Sequence, residues 1–267
     1  MHAFGGYPRR LSWFILTTLL LLAAGCKSMT PGDLSRVQPG SDQRLAGNVY
    51  LLRGFIGIWS YGIDGLGRKI AASGIRASVF QEDQWQGLAE AIASKYRSAA
   101  DHEPLILIGH SYGADDTLRI AKRLEAQNLH VDLVITLDPV TPPRVSPNVR
   151  LCYNLYQSNT LDALPFFRGV KLESELPEEK NLVNVNIRAD RRDLLESNTD
   201  HFNIEKNPKV HDEVICKLKE FCPPREAWLA QRRTSPPRTI LQDHAPSGVS
   251  DNPQRVGATD APAQRDP

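Results

Sequence analysis

The chain has 267 residues, and its 32 lysines and arginines are balanced by 31 aspartates and glutamates, for a formal net charge of +1. A protein that grips phosphate backbones shows a clustered basic excess, so the charge gives no support for a nucleic-acid partner. With 41% hydrophobic residues the chain can bury one full-sized core, and a single folded domain is expected.

The N-terminus carries the first pattern. Arg9 and Arg10 precede a 14-residue run from Leu11 to Ala24, largely apolar and ending in small residues. Spanning a bilayer takes about 20 apolar residues, so the run is short for a permanent membrane helix and suits an export signal over residues 1–25. Its end reads Leu22-Ala23-Ala24-Gly25-Cys26. This junction resembles the lipobox of bacterial lipoproteins, in which cleavage precedes the cysteine. The resemblance implies acyl chains on Cys26 and a membrane held through that N-terminal lipid. Lys27, rather than an aspartate, follows the cysteine, and in the lipoproteins this resembles that leans toward the outer membrane of a bacterial envelope, facing the periplasm.

Residues 26–47 are rich in Gly, Ser, Asp, Gln and Pro without periodicity, which predicts a flexible tether. From Asn48 onward, short apolar runs alternate with helical patterns, the signature of βα units building a parallel sheet. The predicted strands are Asn48 to Arg53, Arg76 to Phe80, Leu105 to Gly109, Val131 to Leu137, Arg150 to Tyr156 and Leu182 to Ile187. Leu66 and Ile70 mark a helix before Gly74, and Trp85, Leu88, Ala89, Ile92 and Tyr96 recur at i, i+3, i+4, i+7. Leu118, Ala121 and Leu124 mark a third helix, and Val210, Val214, Leu218 and Phe221 a last one that Pro223 stops. The domain is expected over 48–222. Eight of the nineteen prolines lie in residues 223–267, so that stretch is expected to be a disordered tail.

Chemistry concentrates at the end of the third strand. Leu105-Ile106-Leu107-Ile108 runs into Gly109-His110-Ser111-Tyr112-Gly113, and a helical segment with Asp115 and Asp116 in its first turn follows. A serine between a strand and a helix, with Gly109 and Gly113 two residues away on either side, is the setting that presents a nucleophilic hydroxyl on a strained turn. Asp115 and Asp116 are explained by the helix dipole, which favours acids in the first turn.

On these motifs, residues 48–222 resemble an α/β-hydrolase, in reduced form with about six mostly parallel strands flanked by helices. The superfamily includes esterases, lipases, thioesterases and amidases, so the elbow assigns a reaction type ahead of a substrate. The resemblance implies the chain order serine, acid, histidine. His2 and His244 fall in signal and tail, His102 and His130 precede strands, and His110 is the spacer of the elbow, which leaves His201 and His211. His201, in the Thr199-Asp200-His201-Phe202 loop, is the expected base, and His211, in the first turn of the last helix, a packing or surface residue. Asp138 ends the fourth strand in Leu137-Asp138-Pro139, as in pancreatic-type lipases, and is the expected acid; Asp162 and Asp190 are the alternatives. The oxyanion hole is expected from the N–H groups of Tyr112 and Phe55. Phe55 lies in Arg53-Gly54-Phe55, which resembles the family's His-Gly-x loop with arginine in place of histidine.

No metal is expected, since the chain has no H-E-x-x-H, no C-x-x-C and no paired histidines at ligand spacing, and no cofactor is implied. Besides Cys26 there are Cys152, Cys216 and Cys222, and export would permit one disulfide among them. Residues 158–180, with the apolar cluster Leu164-Pro165-Phe166-Phe167, are the expected seat of substrate choice. Together the two resemblances imply a membrane-anchored serine hydrolase of an ester or thioester, expected to act on a small acyl ester or lipid without an evident obligate protein partner. The competing reading is a lipoprotein that keeps the hydrolase scaffold as a binding module.

Overall fold

Six five- or six-residue segments, of which β1, β3, β4 and β6 are rich in Val, Ile and Leu, fall where the alternating pattern places strands: β1 (Asn48–Leu52), β2 (Arg76–Phe80), β3 (Leu105–His110), β4 (Leu133–Leu137), β5 (Cys152–Tyr156) and β6 (Leu182–Asn186). The computed structural model describes residues 30–54, 61–99, 102–158, 169–197 and 199–234. The strands form one sheet in the order β2-β1-β3-β4-β5-β6, with every neighbouring pair parallel. Among the described residues five α-helices accompany it: α1 (Tyr61–Ala72), α2 (Trp85–Arg97), α3 (Tyr112–Glu125), α4 (Pro208–Phe221) and α5 (Arg225–Thr234).

Strands covered on both faces must be apolar throughout, and β1, β3 and β4 are buried at every residue. Alternate side chains divide between two cores. Tyr50, Leu52, Leu105 and Leu107 pack with Leu88 and Ile92 of α2 and Leu118 and Leu124 of α3. Val49, Leu51, Ile106 and Ile108 face the other way, onto Ile63, Leu66 and Ile70 of α1 and Val210, Val214 and Leu218 of α4. The result is a three-layer α/β-hydrolase fold. Each fully buried aliphatic side chain contributes about 1.5–3 kcal/mol, so the layers hold the strand ends rigidly.

Because all strands run the same way, their C-terminal ends share one edge of the sheet. Arg53, Ser111, Asp138 and Gln157 each follow the last residue of a strand and lie on that edge. The opposite edge is closed by the two segments that flank the sheet in the chain, and here the structure corrects two expectations. Residues 30–47, expected as part of a free tether, pack along the domain: Val37 and Ala46 are fully buried. Arg76 donates to the carbonyls of Arg36 and Gly40, and Leu45 N donates to Gly74 O. Residues 225–234, expected as disordered tail, form α5. Arg225 at its start donates from Nη1 to Glu103 at 2.7 Å and from Nη2 to Ser41 Oγ at 2.8 Å. Polar composition misled in both places because the partners of these segments are themselves polar. Cys26 and residues 235–267 lie outside the described residues.

Cys152, Cys216 and Cys222 are all free, so the possible disulfide among them does not form. Cys152 and Cys222 are buried, and burial pushes both thiols up, that of Cys222 to about 12. Among the described residues no helix is long and apolar enough to cross a membrane.

Candidate active site

Ser111 sits between β3 and α3 with φ 56° and ψ −126°, a backbone conformation that a residue with a side chain adopts only at a cost of about 1–3 kcal/mol. The two glycines make it possible. A Cβ on Gly109 would lie 2.2 Å from the Gly113 carbonyl oxygen, and one on Gly113 would lie 2.2 Å from the Arg53 carbonyl oxygen. The elbow is thus wedged against the end of β1, and Ser111 N donates to Leu137 O at 2.9 Å.

That turn aims the hydroxyl at His201. Ser111 Oγ and His201 Nε2 are 3.1 Å apart, with the two residues 7% and 6% exposed. On the far side of the ring, His201 Nδ1 lies 3.5 Å from Oδ2 of the fully buried Asp138. This is longer than a formed hydrogen bond, and Nδ1 has no other partner. Catalytic hydrogen bonds commonly tighten only when substrate binds. Serine, histidine and aspartate therefore stand in line, although the chain separates Ser111 from His201 by 90 residues.

Asp138 is held independently of the histidine. Its backbone takes a positive φ of 48° and its N–H donates to Leu155 O. Gln157 donates to its carboxylate from the main chain at 2.6 Å and from Nε2 at 3.1 Å. Gly169 closes the other side, where a Cβ would fall 2.0 Å from Asp138 Oδ1. Asp115, assigned above to the helix dipole, does more than that. It is fully buried in α3 and accepts from Val140 N (2.9 Å), Thr141 N (2.8 Å) and Thr141 Oγ1 (3.1 Å), so it ties the nucleophile's helix to the loop after Asp138. Burial raises its pKa against the pull of those donors. Gln157 and Gly169 carried no local signal in the sequence, and Asp115 carried a misleading one.

The catalytic loop rests on a second buried layer. His110 Nε2 donates to the His201 carbonyl at 2.8 Å and lies 4.0 Å from Glu205 Oε2. Desolvation and the neighbouring His201 lower the His110 pKa to about 3. Glu205 is fully buried, and desolvation raises its pKa to about 7 although Lys206 stands 3.5 Å away. His211 is buried in the first turn of α4 and pairs through Nε2 with the Glu205 carbonyl at 2.5 Å. It is therefore a packing residue.

Of the other expected residues, Tyr112 opens α3 directly after the serine, where its N–H belongs to the helix N-terminus. Arg53 is buried and forked onto Asp64 of α1 at 3.0 and 2.7 Å. Asp190 is exposed and accepts from Asn186 N, closing its own turn. Phe55, Asp162 and the 164–167 cluster lie outside the described residues. Among the described residues no cluster of His, Cys, Asp and Glu is arranged to hold a metal ion.

A strained serine at a strand-to-helix elbow with a histidine in hydrogen-bond reach, on the C-terminal edge of a parallel sheet, defines a hydrolase of the α/β-hydrolase superfamily. More narrowly, the chain belongs to the thioesterase domain family, whose sequence profile matches residues 73–221 and so spans Ser111, Asp138 and His201. It is a hydrolase acting on esters or thioesters. Among curated proteins, none matches the chain. Solved structures similar to it include Est1E from Butyrivibrio proteoclasticus, at 12% identity and TM-score 0.42, covering 68% of this chain and 91% of that one. The esterase domain of a Rhodothermus marinus protein gives 14% identity, TM-score 0.38 and coverage of 69% and 91%. A putative hydrolase of the alpha/beta superfamily from Xanthomonas campestris pv. campestris gives 12%, 0.34 and coverage of 64% and 99%.

Proposed function

We propose that the protein is a lipid-anchored serine thioesterase or esterase of a bacterial envelope, working through Ser111, His201 and Asp138. The 3.1 Å approach of Ser111 Oγ to His201 Nε2 carries this reading. Ser111 Oγ attacks the acyl carbonyl while His201 Nε2 takes its proton, and the acyl carbon–sulfur or carbon–oxygen bond breaks as His201 returns that proton to the departing thiol or alcohol. Water then enters the same way, giving a free carboxylic acid and restoring the serine. Asp138 orients the imidazole through Nδ1–H and offsets the charge of the imidazolium. The Tyr112 N–H, with that of Phe55, stabilises the oxyanion.

A fluorophosphonate probe tests the activated serine directly. Wild-type protein is expected to be labelled at Ser111 and to hydrolyse acyl thioesters or p-nitrophenyl esters, and Ser111→Ala should lose both, with turnover reduced about 10⁶-fold. An unlabelled, folded wild type would mark the chain as a binding module. For the anchor, Cys26→Ser should release or misprocess the protein.

A further inference from the structure

Residues 30–47 do more than close the sheet edge, because they run its full height. Gly47 N donates to Glu103, just before β3, at the N-terminal edge of the sheet. At the other end, Gly32 packs on Phe80 and Val79 where β2 finishes, and exchanges hydrogen bonds with the Gln84 side-chain amide at 2.7 and 2.9 Å. Thr30 O accepts from Arg53 Nη1 at 3.2 Å. Arg53 follows β1, and its carbonyl is the group that packs on Gly113, two residues beyond Ser111. The N-terminal strap therefore leaves the domain at the catalytic edge.

Only four residue steps separate Thr30 from Cys26, and fully extended they span at most about 14 Å. A domain of this size is on the order of 40 Å across. A leash that short cannot let the domain turn its catalytic edge away from the membrane.

The surface at that edge suits such a position. Among the described residues the exposed large apolar side chains are Tyr61 (44%), Phe202 (39%), Val183 (42%) and Leu229 (40%). Val183 lies on the outer strand and Leu229 on α5 at the far edge, whereas the other two flank the triad. Phe202 stacks edge-on against His201 at 5.5 Å. Tyr61 opens α1, where Gly62 packs so closely on the Glu205 backbone that a Cβ would lie 2.1 Å from its carbonyl oxygen. Tyrosine, apolar along its ring and polar at its hydroxyl, favours the interface between headgroups and acyl chains, and the wholly apolar ring of Phe202 suits burial just beneath it.

Building on the lipid-anchor reading, we infer that the catalytic edge, rimmed by Tyr61 and Phe202, is a bilayer-facing surface. Its substrate class is a long-chain acyl ester or thioester whose chain resides in that bilayer. A soluble short-chain ester needs no such orientation and gains nothing from it.

The test uses the acylated full chain in phosphatidylethanolamine–phosphatidylglycerol vesicles that contain a doxyl-labelled lipid. In a Cys216→Ser background, fluorophores are placed by Tyr61→Cys or, at the far edge on α5, by Arg233→Cys. The label at 61 should be quenched several-fold more than the label at 233. Equal quenching, or stronger quenching at 233, overturns the orientation. For the substrate, a flexible insert of about 20 residues between Ser28 and Met29 should lower hydrolysis of vesicle-borne 4-methylumbelliferyl palmitate about tenfold by diluting the effective local concentration. Soluble p-nitrophenyl butyrate should be cleaved at the original rate. An insert that slows neither substrate, or both equally, overturns the substrate assignment. Mass spectrometry of the N-terminus separates the two levels: an unacylated Cys26 sinks the anchor and the orientation together, whereas an acylated protein with an unquenched label at 61 sinks the orientation alone.

Discussion

The two edges of the sheet treat buried charge in opposite ways. At the edge away from the serine, the buried Glu103 carboxylate accepts from Ser41 N, Ser41 Oγ, Gly47 N and Arg225 Nη1 at 2.7–3.1 Å. At the catalytic edge, Glu205 is as deeply buried, yet neither oxygen has a hydrogen-bond partner and the ion pairs to it are long. Ser111 and Asp138, the residues aligned on His201, hold positive φ angles there. One edge is arranged for stability. The other keeps strained and undersatisfied groups around the proposed nucleophile and its histidine, and the first must stabilise what the second costs.

The sharpest break in this comparison is Asp138→Asn. The substitution keeps the size of the side chain, so folding should survive while kcat for ester hydrolysis falls about 10³- to 10⁴-fold. A folded variant with near-normal turnover would falsify the assignment of the acid to Asp138. At the opposite edge, Glu103→Ala should do the reverse. It strands Gly47 N and Arg225 Nη1 and removes the carboxylate that both grip, so urea denaturation should report a loss of about 3–5 kcal/mol with kcat unchanged in the remaining folded protein. If turnover falls in step with stability, the two edges are not independent.

The smallest effect is a pH dependence. Burial lifts the Glu205 pKa from its ordinary 4.5 to about 7, so between those values the folded state holds a proton that the unfolded chain releases. Its contribution to stability is full below 4.5 and lost as pH rises through 7. His110, lowered from 6.5 to about 3, contributes in the other direction: its share is full above 6.5 and lost as pH falls toward 3. Glu205→Gln should therefore abolish a decline of about 1–3 kcal/mol between pH 5 and 8 while leaving the acid limb in place. Unfolding free energies measured across that range check it, and a decline unchanged in the variant would remove Glu205 as its source.

What could be read from the sequence follows the same division of labour. The strands were legible because burial on both faces demands continuous apolar runs, and the elbow because its geometry demands glycine at 109 and 113. His201 was reached by elimination within a resemblance. The docking of residues 30–47 and 225–234 was not legible, since their partners are single polar side chains far away in the chain: Ser41 meets Glu103 across 62 residues. Asp115 shows how a local rule can be satisfied for the wrong reason. The helix dipole accounts for an acid in the first turn, but the N–H groups that Asp115 holds are 25 and 26 residues further on.

The contact between the two segments that flank the sheet also bears on lifetime. Arg225 and Ser41 are 184 residues apart, and Leu45 pairs with Pro224 in an antiparallel bridge. A closure across that much chain is entropically costly to make before the intervening strands are paired, which favours its forming late in folding and opening early in unfolding. Strengthening or weakening it should change how long a folded molecule persists while leaving the speed of refolding alone. That persistence, rather than the folding equilibrium alone, sets the resistance of the molecule to proteolysis.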